Sequence, residues 1–151
     1  MTEPWIGVLG TLIGVVVGGM LTFVFTRRNQ ISKALHESRI ASFSKFGAAV
    51  MEYRRTLMDR WFSEAGLSAS MDNDSVYKAR SAAWAALFEV QLVARAESLR
   101  DLATAAVDAT ASIKDAGDRD ELAARADDSR RHVNDFIRAA RGEVVAGSRV
   151  L

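Results

Sequence analysis

The first feature of the chain is an apolar run from Ile6 to Phe25 that contains no charged side chain. Its 20 residues, at a helical rise of about 1.5 Å each, reach about 30 Å, the thickness of the hydrocarbon core of a bilayer. Inside lipid a single segment can satisfy its backbone polar groups only as a helix. The pattern therefore predicts one transmembrane helix over residues 6–26, after a short external N-terminus at residues 1–5.

Within this run, small residues recur at steps of about four along one side of the predicted helix. Such a face lets a second helix approach closely, and close packing is what holds helices together in lipid. The alternative is a span that only tolerates glycine, which is common in membrane helices. We predict a helix-packing interface for either self-association or docking onto another membrane subunit, made by Gly7, Gly10, Thr11, Gly14, Gly18 and Thr22.

Basic residues follow the apolar run and none precedes it. Arg27, Arg28 and Lys33 lie just after the run, whereas the N-terminal flank carries the acidic Glu3. Basic flanks stay on the cytoplasmic side, and they also attract anionic headgroups of the bilayer. The charges predict a single-pass protein of the cell membrane, with its N-terminus outside, its C-terminus in the cytoplasm, and these three basic residues at the membrane surface.

Beyond the run, apolar residues recur at three- and four-residue steps between charged ones, which is typical of amphipathic helices. The only proline is Pro4, so nothing forces a break before residues 63–74, a stretch rich in turn-forming residues. We expect the first helix to continue to about Phe62, and Asp72 or Asp74 to cap the next one. The inner face of this extension is predicted to be Ile31, Leu35, Phe43, Phe46, Val50, Tyr53, Leu57 and Trp61.

A second cytoplasmic helix is predicted from about Ser75 to Ala94. Its predicted inner face is Val76, Ala83, Trp84, Leu87, Phe88, Gln91 and Leu92. Because a straight continuation would bring Arg95 into the buried stripe, we place a break near Ala96 and a restart at Glu97. One unbroken helix over residues 75–115 is the alternative. The inner face of the restarted helix is predicted to be Leu99, Leu102, Ala103, Ala106, Val107 and Ile113.

The last helix is predicted to begin after Asp115-Ala-Gly-Asp118. Gly117 can take the left-handed conformation that closes a helix, and Asp118 with Glu121 resembles a capping box. The helix should fray at about Gly142–Gly147. Its predicted inner face is Leu122, Ala126, Val133, Phe136, Ile137, Ala140 and Val144.

The fold class that follows is all-α. A single N-terminal transmembrane helix continues into a cytoplasmic antiparallel helical bundle over residues 27–145, before a loose tail at 146–151. The bundle has four helices counting the extension, or three if 75–115 is unbroken. A hairpin through residues 63–74 would bring together the aromatic residues that we assign to the core, namely Tyr53, Trp61, Phe62, Tyr77, Trp84 and Phe88.

The composition offers little catalytic chemistry. The chain of 151 residues has no cysteine and a net charge of +1, which excludes thiolate chemistry and gives no global case for nucleic acid. The two histidines, His36 and His132, stand outside any Glu-x-x-His pair, so we expect surface or boundary positions rather than metal ligands. We find no phosphate-binding loop or nucleophile elbow, and we predict no catalytic residues, metal or cofactor.

These observations predict a non-enzymatic membrane protein. It would associate with itself or with another membrane subunit through the glycine face and present its helical domain to partners in the cytosol or the membrane, including a possible cytosolic protein. The alternative is a small pore-forming or lysis-type membrane protein. The absence of ionisable residues from the span speaks against that alternative, because ion pathways usually need them.

Overall fold

The computed structural model of the protein describes the backbone of residues 5–68 and 72–148, and the side chains of residues 33–68 and 72–147. Within these ranges the chain is all-helical, which confirms the predicted class. The helices are α1 (Trp5–Glu64), α2 (Asn73–Val93), α3 (Glu97–Ala111) and α4 (Arg119–Ser148). A short 3-10 helix, Ser112–Asp115, follows α3 directly.

The four helices form an up-down-up-down bundle. Each helix packs against its two neighbours in the ring order α1, α2, α3, α4, and within the described residues α2 makes no contact with α4. The side of the bundle formed by α1 and α4 is therefore opposite the side formed by α2 and α3. We call these two sides the α1/α4 face and the α2/α3 face.

The centre of the bundle is filled by the large residues that the pattern on α1 identifies. Phe46 and Val50 are fully buried, and Phe46 lies against Phe136 of α4 with ring centroids 4.6 Å apart. Phe43, Tyr53 and Leu57 are buried as predicted, whereas Leu35 is exposed. Because close-packed apolar side chains exclude water, this cluster is the main source of the stability of the bundle.

The predicted break between α2 and α3 is confirmed, and α3 begins at Glu97. Side chains from three other parts of the bundle hold the turn. Arg39 Nε donates to the carbonyl of Val93 at 2.8 Å, and Arg100 Nη1 donates to that of Ala94 at 3.2 Å. The Glu143 carboxylate accepts the backbone N–H groups of Arg95 and Ala96 at 2.9 and 3.1 Å. Polar groups that the break leaves without helical partners are thus satisfied.

The predicted helix caps are confirmed in two places and wrong in one. Asp72 caps α2 by accepting the N–H of Asp74 at 3.1 Å. Asp118 accepts the N–H of Glu121 at 2.8 Å. Gly117 does not take the left-handed conformation, because α3 ends in a 3-10 turn and the N–H of Gly117 donates to Glu121 at 2.8 Å.

That hydrogen bond also affects the ionisation of Glu121. The backbone N–H of Gly117, followed by the guanidinium of Arg125, lowers the pKa of the Glu121 carboxyl below its usual value. The start of α4 is therefore held by a charged form that persists into mildly acidic solution.

Two further predictions concern the ends of the chain. α4 continues to Ser148, beyond the fraying expected at Gly142–Gly147. Among the described residues, no helix is both long and apolar enough to cross a bilayer. The predicted span at residues 6–26 lies outside the residues whose side chains are described, and it stays a prediction.

Candidate interaction surface

The glycine face of the predicted span, with Arg27 and Arg28, lies outside the described side chains, so its packing role is untested. Lys33 is the first residue of α1 whose side chain is described, and this side chain is exposed.

Both histidines lie at the boundary of the bundle. His132 is half-buried with Nε2 3.7 Å from Asp128 of its own helix. His36 is half-buried beside Gly147 near the C-terminal end of α4. Among the described residues, no three His, Cys, Asp or Glu side chains are grouped as metal ligands would be.

The outer side of α2 carries an exposed stripe of large apolar residues. Tyr77 is 66% exposed, Phe88 56% and Leu92 85%, and half-buried Trp84 lies 6.1 Å from Phe88 between ring centroids. The exposed Arg80, three residues after Tyr77 and four before Trp84, borders the stripe, and from Trp84 to Leu92 the stripe carries no charged side chain. We call Tyr77, Ser81, Trp84, Phe88 and Leu92 the aromatic stripe. Exposed apolar patches are common at protein interaction sites.

The prediction that Tyr77, Phe88 and Leu92 lie in the core is therefore wrong. The buried side of α2 is made instead by smaller residues, namely Val76, Ala79, Ala83, Ala86, Leu87 and Val90. Alanines let α2 pack closely against its neighbours, so the core has no room for the larger aromatic side. The sequence contains two apolar stripes on one helix, and the larger one faces outward.

A second apolar surface lies on the α1/α4 face. It is a groove of about 520 Å³ between α1 and α4, and its lining includes Ile40, Ser44, Gly47 and Met51 of α1. Gly47 leaves room in its floor, where an added Cβ would lie 3.9 Å from Ile137. Its α4 wall includes Ile137, Val144 and the edge residue Arg141. We call this cavity the α1/α4 groove.

Ile137 is predicted to face the core, but it is 48% exposed on the wall of this groove. Ile40 is 44% and Met51 37% exposed in the same groove. The heptad-like pattern predicts that Phe136 and Ile137 both face the core, but only Phe136 is buried there.

Charged side chains are exposed on the outer sides of α3 and α4. On α3, Glu97, Asp101 and Asp108 are exposed on the side away from buried Leu99 and Ala103. On α4, Arg131, Arg138 and Arg141 are exposed, and Arg141 lines the groove. The ion pairs of the described residues include Arg131 with Asp128 at 2.8 Å and Arg138 with Asp135 at 3.7 Å, and none includes the three α3 acids or Arg141. We call these sets the α3 acidic face and the α4 arginine face.

Comparison with known proteins gives one informative result. A family model described as KilB plasmid transfer protein matches residues 40–144. The matched range begins at Ile40 and ends at Val144, so it contains the buried core of the bundle and both apolar surfaces. No curated protein and no solved structure matches the chain.

Proposed function

The chain belongs to the KilB plasmid transfer protein family, and from this membership we propose that it serves plasmid transfer as a non-enzymatic docking protein anchored in the cell membrane. The family description supports the process. The observation that carries the docking role is the aromatic stripe, a mainly apolar surface that the bundle leaves exposed.

The composition of the stripe is that of a binding surface. Tyr, Trp and Phe are enriched at the centres of protein interfaces, where a few such residues supply most of the binding energy. Fully burying a side chain such as Phe88 or Leu92 is worth about 1.5–3 kcal/mol. Because these side chains are exposed in the bundle, burying them against a protein partner would contribute this free energy to binding.

The membrane anchor is supported by the sequence of residues 6–26 and by the basic residues that follow. Because α1 reaches Glu64 as one helix from Trp5, an anchor in its first part would join the bundle with no flexible linker. The glycine face would then pack against another helix in the same bilayer. In this arrangement the N-terminus is outside and the bundle is in the cytoplasm.

The first test concerns this topology. We expect a reporter that is active only in the cytoplasm to be active when it is fused after Leu151, because Arg27 and Arg28 retain their side of the span inside. A reporter that is active only outside the membrane is the matched fusion. Activity of the external reporter and silence of the cytoplasmic one would contradict the proposed orientation.

The second test concerns the process and the stripe together. In donor cells whose plasmid transfer depends on this gene, we expect Phe88→Glu with Leu92→Glu to lower the transfer frequency at least about tenfold, the factor that a loss of ~1.4 kcal/mol of binding produces. The reason is that two buried carboxylates would be left without partners in the interface. Mating frequency per donor is the measurement.

The control is Leu67→Glu, which changes another exposed apolar residue, 66% accessible, in the turn after α1. It should leave the transfer frequency unchanged. If deletion of the whole gene leaves transfer intact, the proposed process is wrong. If the stripe variant and the control behave alike while deletion abolishes transfer, the docking role of the stripe is wrong.

A further inference from the structure

We propose that the aromatic stripe of one copy packs into the α1/α4 groove of a second copy, which gives a head-to-tail row or ring of parallel bundles. This inference rests on the docking role proposed above and names its partner as the same chain.

The first step is that the two surfaces lie on opposite sides of the bundle. The groove is on the α1/α4 face. On α2, the residue after Phe88 is Glu89, whose carboxylate pairs with Lys45 of α1. Val93 also contacts α1 through Arg39, and Phe88 lies about 100° around α2 from Glu89 and about 140° from Val93. Phe88 is therefore turned away from α1, towards the α2/α3 face. A surface on one side and its complement on the other make a heterologous contact, which repeats from copy to copy.

The second step is that the shapes correspond. The stripe projects large side chains, Trp84, Phe88 and Leu92, from a single helix. The groove is a channel between two helices with small residues, Ser44 and Gly47, in its α1 wall. Packing one helix between two others in this way is the ordinary ridge-and-groove arrangement of helices.

The third step is that the surfaces lie at the same height along the bundle. Arg39 is level with Val93, and Lys45 is level with Glu89, because each pair is in contact. Leu92 is therefore level with the residues next to Ile40, and Phe88 is level with Phe46, opposite the middle of the groove. Two copies can be placed side by side without any shift along their axes.

The fourth step is that the charges of α3 and α4 meet at matching heights. Ala96, the N-cap residue of α3, contacts Glu143 of α4. Asp101 and Arg138 lie five residues from this contact on their helices, on the side away from the α2–α3 turn. Thr110 contacts Ser129. Asp108 and Arg131 each lie two residues from this contact on their helices, on the side towards the α2–α3 turn.

When α2 of one copy enters the groove of the next, its neighbour α3 comes beside the adjoining α4. The α3 acidic face then meets the α4 arginine face, with Asp101 level with Arg138 and Asp108 level with Arg131. Complementary charges of this kind fix the register of an interface and select the correct partner.

The arrangement also agrees with a membrane anchor. Copies related in this way keep the direction of α1, so all of their N-termini point to the same side. Packing two stripes against each other in antiparallel fashion would point the two α1 helices in opposite directions. Several anchored copies in one bilayer can therefore make the head-to-tail contact.

The experiment uses cysteine cross-linking, because the natural chain contains no cysteine. The full chain carries Ser44→Cys in the groove and Leu92→Cys in the stripe, both at exposed positions, and is purified in detergent and treated with a short bismaleimide. We expect a ladder of dimers, trimers and higher species on a denaturing gel. A ladder that stops at one size indicates a ring, and a continuing one indicates a row.

Three matched variants make the result specific. Ser44→Cys alone and Leu92→Cys alone should stay monomeric, and Ser44→Cys with Leu67→Cys should give no ladder, because Leu67 lies in the turn after α1.

Asp101→Arg should reduce the ladder in the parent double-cysteine chain, and adding Arg138→Asp should restore it. Added salt should also reduce it, because the charges of α3 and α4 are screened.

Other outcomes overturn the inference in distinct ways. Dimers from Leu92→Cys alone would mean that two stripes face each other. No cross-linking of any variant, together with a transfer defect of the Phe88→Glu, Leu92→Glu chain, would mean that the stripe binds a different protein, and the proposed function would stand. A full ladder with normal transfer in that chain would instead remove the functional role and keep the contact.

Discussion

Replacing Phe136 with Ala is expected to lower the free energy of unfolding by about 3–5 kcal/mol, the usual range for a buried aromatic residue. Phe136 is fully buried, and its ring lies 4.6 Å from that of Phe46 and 6.0 Å from that of Phe43 between centroids. Its removal leaves a cavity between α1 and α4 that neither helix can fill. Urea unfolding followed by far-UV circular dichroism measures the change.

The matched control is Phe88→Ala, the same substitution on the aromatic stripe. Because Phe88 is 56% exposed, we expect a change of no more than about 0.5 kcal/mol, as for other surface positions. The measurement should be made in dilute protein, where copies do not associate. Equal losses for the two variants would show that the stripe belongs to the core.

The second large effect is expected at the hydroxyl pair between α3 and α4. Thr110 and Ser129 are both fully buried, and their oxygens are 2.7 Å apart. Thr110 also donates to the carbonyl of Ala106 at 2.7 Å, so the Ser129 hydroxyl is the donor to Thr110. Thr110→Val therefore leaves a buried O–H without an acceptor, which costs about 1–3 kcal/mol.

The same reasoning predicts an asymmetry. Ser129→Ala should cost less, because Thr110 keeps its bond to Ala106. Adding Ser129→Ala to Thr110→Val should recover part of the lost stability, since no unsatisfied hydroxyl remains. A double-mutant cycle of unfolding free energies checks both statements. Additive losses would contradict the assigned direction of the hydrogen bond.

The sequence alone was sufficient where large residues and local hydrogen bonds decide the structure. The order of the helices, the core side of α1 and the caps at Asp72 and Asp118 all follow from residues close together in the chain. The break at Ala96 also followed, because the periodic pattern would otherwise bury Arg95.

The candidate site was not predictable in the same way. Both sides of α2 have helical periodicity, and the pattern favours the side with larger apolar residues. The choice depends on how closely α1 and α3 approach α2, which the alanines Ala79, Ala83 and Ala86 decide through three-dimensional packing. The groove likewise depends on Gly47 and Ile137, which are distant in the chain and meet only in the bundle.

The hydrogen bonds from the α2–α3 turn to the Glu143 carboxylate have a consequence for co-translational folding. The acceptor oxygens of this carboxylate are separated from the N–H of Ala96 by 47 residues. At a synthesis rate of ~5–20 residues per second, that interval takes roughly 2–9 s. During this time the turn lacks its hydrogen bonds to Glu143, and α4 does not yet cover the inner sides of α1, α2 and α3. We expect the nascent chain to be most exposed to aggregation and proteases in the interval before α4 is complete.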